Sequence, residues 1–257
     1  MMLRNERLKQ IEEMLNKYGK VEVANLCRIF NVTEMTIRRD LNELAEKKLA
    51  VRSHGGAVLA PDNMLNERPY DLRISYNLKE KEAIAKKALP LIQDGAKVFF
   101  DSSTTVYCLA RLITNSQNFL VVTDTLSTAL EVNSRTNVKV VCLGGELKKT
   151  TCSCTGMFAE EMLKKMYFNT AFIGLPNISY TGILSTSSLS ELSIKKAVIE
   201  HSERTVILVD SSKLGNPDFL QFGLLSEVDT LITDSNMPKD FLNYCENIGV
   251  NVIVAEV

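Results

Sequence analysis

The sequence predicts an α/β chain in two parts: an N-terminal winged helix-turn-helix and a doubly wound, mainly parallel α/β domain. Three observations lead there. Residues 1–58 hold three stretches at helical spacing, then a Gly-Gly pair between two short β-prone runs. From Ala96 onward, near-continuous apolar runs alternate with amphipathic stretches, as in a parallel sheet covered on both faces. A chain of 257 residues with 45% hydrophobic content has enough apolar surface for a small core and a large one.

The N-terminal elements follow in order. "ERLKQIEEMLNKYG" reads as a first helix, with Leu8, Ile11 and Met14/Leu15 inward and Gly19 closing it. "VEVANLCRIF" reads as a second, with Val23, Leu26 and Phe30 inward. Thr33 is a good N-cap for a third, because its hydroxyl can accept from a free backbone N–H of the first turn. In that helix Ile37, Leu41 and Leu44 share one stripe with Ala45 at its edge, while Met35, Arg39 and Asn42 lie opposite, flanked by Thr36 and Arg38. "LAVRSHGGAVLA" then suits a tight hairpin about Gly55-Gly56, the wing of a winged helix. On this reading Thr33, Met35, Thr36, Arg38, Arg39 and Asn42 face duplex DNA: the guanidinium groups suit phosphate or guanine edges, and Thr36 and Asn42 offer hydrogen bonds. Arg52 and His54 on the wing are placed to reach an adjacent phosphate or the minor groove. Charge agrees: residues 1–58 hold 11 Lys and Arg against 8 Asp and Glu, leaving 19 against 23 in the remainder, so the front end is the basic part.

The stretch 59–75 reads as a linker, with Pro61 and Pro69 breaking regular structure, and the second domain as residues 76–257. There "LKEKEAIAKKALPLI" is helical, and the strands are "AKVFFD", "FLVVTD", "VKVVCLGG", "TAFIGL", "TVILVD", "VDTLITD" and "NVIVAEV". Four strands end in small polar or charged residues: Asp101-Ser102-Ser103-Thr104-Thr105, Thr123-Asp124-Thr125, Gly144-Gly145-Glu146 and Asp210-Ser211-Ser212-Lys213. In a parallel sheet such ends share the edge where ligands bind. The hydroxyls and amides of Ser102, Ser103, Thr104 and Thr105 are candidates to cradle an anion. Gly144 and Gly145 allow close backbone approach, Lys213 supplies a point charge, and Asp101, Asp124 or Asp210 can accept from sugar hydroxyls or a lysine.

Taken together, "RLKQIEEMLNKYGKVEVANLCRIFNVTEMTIRRDLNELAEKKLAVRSHGGAV" closely resembles the winged helix of the DeoR family of bacterial transcription regulators. Thr33, Thr36, Ile37, Arg38, Arg39, Asp40 and Leu41 match its recognition helix, and Arg52, His54, Gly55, Gly56 and Ala57 its wing. Residues 76–234 resemble the family's sensor domain in "D-S-S-T-T", "L-G-G", Gly156, "T-A-F-I-G", Gly182, "K-K-A-V-I-E" and "D-S-S-K". The resemblance implies a fold similar to ribose-5-phosphate isomerase and a phosphorylated sugar or related metabolite as effector. It implies a non-enzyme, a repressor of carbohydrate genes that binds double-stranded operator DNA as a homodimer or higher homo-oligomer. The chain departs from the family pattern at Ser103, where glycine is usual, and at Asp124-Thr125, where Asn-Ser is usual.

Other classes fit less well. An isomerase needs a general base, and "TAFIGL" leads to "PNISYTG" with no carboxylate. Cys152 and Cys154, with Cys142 and His201, lack a second pair at ligand spacing, so no metal and no cofactor is expected. Six scattered cysteines in apolar runs read as reduced thiols, and no apolar stretch approaches the ~18 residues of a membrane span. A soluble cytoplasmic protein is expected.

Overall fold

Successive residues of the apolar strands feed two different cores. In the computed structural model, which describes residues 3–47, 49–60 and 70–257, Val98 and Phe100 pack on one side of the sheet and Phe99 on the other. Phe172 opposes Ala171 and Ile173, and Val206 and Leu208 oppose Ile207, in the same way. Both faces of each strand are therefore dry, which is why these strands read as unbroken apolar runs. Each fully buried Phe or Ile contributes about 1.5–3 kcal/mol relative to exposure.

The chain forms two compact units, Met1–Arg68 and Pro69–Val257. In the first, helices α1 (Arg4–Tyr18), α2 (Val23–Phe30) and α3 (Glu34–Glu46) pack with strands β1 (Lys20–Glu22), β2 (Ala50–Ser53) and β3 (Gly56–Leu59). Leu8, Ile11, Leu15, Leu26, Ile37, Leu41 and Leu44 fill the core. Phe30 is only half-buried. Lys20–Glu22 was not foreseen as a strand: it pairs antiparallel with β3, making the wing three-stranded in the order β1-β3-β2.

The second unit opens with helix α4 (Tyr70–Ser75), inside the stretch read as linker. Leu59 of that stretch closes β3, while residues 61–69, with Pro61 and Pro69, lie outside the described residues. Then come α5 (Leu78–Ala88), β4 (Lys97–Phe100), α6 (Thr104–Ala110), β5 (Leu120–Thr123), α7 (Leu126–Arg135) and β6 (Lys139–Cys142). A hairpin of β7 (Glu146–Lys148) and β8 (Ser153–Thr155) precedes α8 (Met157–Leu163), β9 (Thr170–Gly174), β10 (Asn177–Ser179) and β11 (Ile183–Thr186). The chain closes with α9 (Leu189–Glu200), β12 (Thr205–Leu208), β13 (Leu214–Gly215), β14 (Leu220–Leu224), β15 (Thr230–Asp234), α10 (Lys239–Asn247) and β16 (Asn251–Ala255).

Seven strands form one sheet in the order β16-β15-β12-β9-β4-β5-β6, and every pairing in it is parallel. Buried residues of α5, α6 and α7 join one core and those of α8, α9 and α10 the other. The fold is thus the doubly wound α/β sheet expected, with additions: the β7–β8 hairpin and a four-stranded sheet, β13-β10-β11-β14. From β4 the chain first builds outward through β5 and β6, then returns to add β9, β12, β15 and β16 on the other side. The topological switch point lies between β4 and β9, the place where such sheets open a ligand crevice beyond their carboxyl ends.

Candidate functional site

Thr33 caps α3 as expected: its hydroxyl accepts from the Thr36 amide at 3.4 Å and lies 3.0 Å from the Thr36 hydroxyl. With Ile37, Leu41 and Leu44 in the core, the opposite side of the helix is committed to solvent. Met35 is 78% exposed, and Arg38, Arg39 and Asn42 are exposed around it. Together with Arg4 they line one shallow depression. The three charges of Arg38-Arg39-Asp40 are not equivalent. Asp40 is buried and accepts from Nε of Arg7 in α1 at 2.6 Å, a bond that ties α1 to α3. Arg38 makes an exposed pair with Glu34 at 3.4 Å. Arg39 makes no ion pair or hydrogen bond among the described residues.

In the wing the two glycines have separate causes. Gly55 sits at φ +84°, and its carbonyl accepts from the Val23 amide at 2.8 Å. A Cβ on Gly56 would fall 2.0 Å from the Val21 carbonyl oxygen, so β1 can pass only a glycine there. Arg52 donates across the hairpin to the Gly56 carbonyl at 2.5 Å, and His54 is exposed at the tip.

At the sheet's switch point, Asp101 follows β4 and is almost fully buried. One of its oxygens accepts from the Ser103 amide at 3.0 Å; the other accepts from the Gly174 amide at 3.0 Å and from Nζ of Lys195 at 2.6 Å. Lys195 also donates to the Gly174 carbonyl at 2.8 Å. Burial opposes the charge on Lys195, but Asp101 and Glu191 outweigh it and hold the ammonium above the ordinary lysine range. Glu191, one turn earlier on α9, accepts from Lys148 of the β7–β8 hairpin at 2.9 Å. Burial pushes Glu191 up, yet Lys195, Lys148 and Arg73 keep it below the usual carboxylate range. Asp124, after β5, is buried beside this group. Burial first, and then the charge of Asp101, push its pKa well above the ordinary value.

The remaining candidates take other places. Ser103 caps α6 by accepting from Val106 at 3.2 Å, Thr104 and Thr105 are buried in its first turn, and Ser102 is buried beside Asp101. Gly145 (φ +146°) stands where a Cβ would meet the Thr155 carbonyl at 2.5 Å, so the neck of the hairpin accounts for it; Gly144 is exposed next to it. Asp210, after β12, accepts from Asn77 at 2.8 Å and from the Ser212 amide at 3.2 Å. Burial raises Asp210, but Lys213, Ser212, Lys81 and Asn77 bring it below the ordinary range. Lys213 therefore belongs with Asp210 and Lys81. Burial pulls Lys81 down to about 8, and its Nζ donates to the Arg73 and Tyr76 carbonyls. Residue-by-residue reading missed Lys195, Glu191, Lys148 and Lys81. A signal for two of them was present, since Glu191 and Lys195 stand four apart on one helix whose Ile194 and Val198 face the core. Among the described residues, no three His, Cys, Asp or Glu side chains converge as metal ligands would, and no helix is long and apolar enough to cross a membrane.

An exposed arginine face on a winged helix, in one chain with a parallel α/β unit whose switch point is lined by charge, defines a transcription regulator with its own sensing domain. The chain belongs to the DeoR family: residues 7–62 match the DeoR-like helix-turn-helix domain and residues 76–235 the DeoR C terminal sensor domain. It is 34% identical to the uncharacterized HTH-type transcriptional regulator YulB of Bacillus subtilis (strain 168), over 98% of this chain and 96% of that one. It is 32% identical to the glycerol-3-phosphate regulon repressor of Escherichia coli (strain K12), over 92% and 93%. A looser likeness, TM-score 0.41 at 18% identity, covers 54% of this chain and 55% of ribose 5-phosphate isomerase A from Methanocaldococcus jannaschii. The named relatives are regulators and repressors, and this chain is a regulator rather than an enzyme.

Proposed function

We propose that the protein is a cytoplasmic repressor of carbohydrate genes whose α3 lies in the major groove of operator DNA and whose switch-point crevice senses a phosphorylated sugar or related metabolite. The observation that carries the reading is the outward face of α3, where Met35, Arg38, Arg39 and Asn42 are exposed opposite a fully buried apolar stripe. On this reading Arg52 and His54 of the wing, with Thr33 and Thr36, contact the flanking phosphates. One such module touches few base pairs, so the active species is a homodimer or higher homo-oligomer on paired half-sites. The effector acts by binding the DNA-competent and DNA-incompetent states with different affinity. Asp101, Ser102, Ser103, Asp124 and Lys195 stand nearest its proposed seat, with Thr104, Thr105, Gly144, Gly145 and Lys213 around the same strand edge.

The test is Arg39→Ala in an anisotropy titration against operator duplex at fixed salt. The expected loss is about 1–3 kcal/mol with an unchanged melting temperature. Undiminished affinity would remove α3 as the reading element.

A further inference from the structure

Two carboxylates at the switch point are each paired with a lysine. Asp101 has Lys195 at 2.6 Å and Glu191 has Lys148 at 2.9 Å. Asp124 is 3% exposed, and its Oδ1 is buried with no hydrogen-bond partner among the described residues. The nearby ammonium groups are committed elsewhere: Lys195 also to the Gly174 carbonyl, Lys148 also to the Ser188 hydroxyl. A second polar atom of the same neighbourhood, the Tyr70 hydroxyl of α4, is also buried without a hydrogen-bond partner among the described residues. Its ring is held edge-on against Tyr107 at 6.0 Å, with the Arg73 guanidinium 5.7 Å from its centre. Buried polar atoms in native proteins are rarely left unbonded, and two in one crevice mark a surface built to meet a ligand.

The chemistry of Asp124 narrows what that ligand is. With nothing bound, burial and Asp101 favour the neutral acid, and Ser102 also bonds the group. Once ionised, the carboxylate only accepts hydrogen bonds, and beside a second carboxylate it needs a cation. A sugar hydroxyl supplies the donor and leaves the charge uncompensated. An ammonium supplies both, in a charge-assisted bond. We propose that the effector is a phosphorylated metabolite that also carries a primary amine, and that the ammonium seats on Asp124. The inference rests on the reading of this crevice as the effector site.

Titration calorimetry on the full chain with matched pairs tests this: glucosamine 6-phosphate against glucose 6-phosphate, and phosphoethanolamine against 2-hydroxyethyl phosphate. The amine of at least one pair is expected to bind about tenfold tighter or more than its hydroxyl partner. In Asp124→Asn, which keeps the shape and removes the charge, the two members should converge through loss of amine affinity alone. The wild-type comparison stands without the variant. Hydroxyl members binding as tightly as amines, or an Asp124→Asn variant that keeps the amine preference, would overturn the proposal and leave the effector reading in place. Failure of all four probes to bind would remove both.

Discussion

Arg38, Arg39 and Asp40 are adjacent in sequence and have three different fates. Asp40 is buried against Arg7, Arg38 pairs at the surface with Glu34, and Arg39 is exposed with no ion pair among the described residues. Their energetic weights differ accordingly. Arg7→Ala would leave the buried Asp40 only the looser Arg4 pair at 3.8 Å and should cost up to about 3–5 kcal/mol in urea unfolding of the N-terminal unit. Glu34→Ala breaks only an exposed pair and should cost less than about 1 kcal/mol. A comparable loss for both variants would contradict the roles assigned here. Asp124 offers a pH test. Its folded pKa lies above the ordinary value, so the neutral form is favoured by folding. The stability it allows is complete below the carboxyl's unfolded pKa and is lost as pH rises through the raised folded value. Asp124→Asn should therefore melt close to wild type at the acid end of the carboxyl range and progressively above it as pH rises through the raised folded value. A difference that shrinks with rising pH would show the carboxylate to be compensated after all.

Elements differ in how visible they were. The seven parallel strands were legible because burial on both faces writes an unbroken apolar run, and the helices because one buried stripe repeats at helical spacing. The short antiparallel pieces were not. Lys20–Glu22, Glu146–Lys148 and Asn177–Ser179 are three residues each, too short for alternation to register, and the partner of Lys20–Glu22 lies more than thirty positions on, in β3. The wing was legible from Gly55-Gly56, yet the reason for Gly56 was not, because the strand that excludes a Cβ there is β1. Gly56→Ala should accordingly melt well below Gly55→Ala. The latter pays only for a left-handed φ, about 1–2 kcal/mol, whereas the former must push β1 off the sheet. Equal melting temperatures would mean that β1 yields freely. Lys195 was hidden for a related reason. Its partner Asp101 is 94 positions away, and only the adjacency of β4 and β9 brings the two together.

At the scale of the whole molecule, the charge division seen in the sequence separates two tasks. The basic front end supplies attraction to any duplex, which falls with salt and carries no sequence information. On the proposed reading, discrimination comes from the α3 face, and control from a crevice that costs different amounts to fill in the two DNA-binding states. The measurement that tests this most directly starts from selection of a preferred duplex out of a random library. That duplex and a scrambled one are then titrated at fixed salt, with and without the phosphorylated amine and hydroxyl probes. The expected result is a clear preference for the selected duplex, abolished by Arg39→Ala and shifted by at least one probe. Equal affinity for both duplexes under every condition would contradict it.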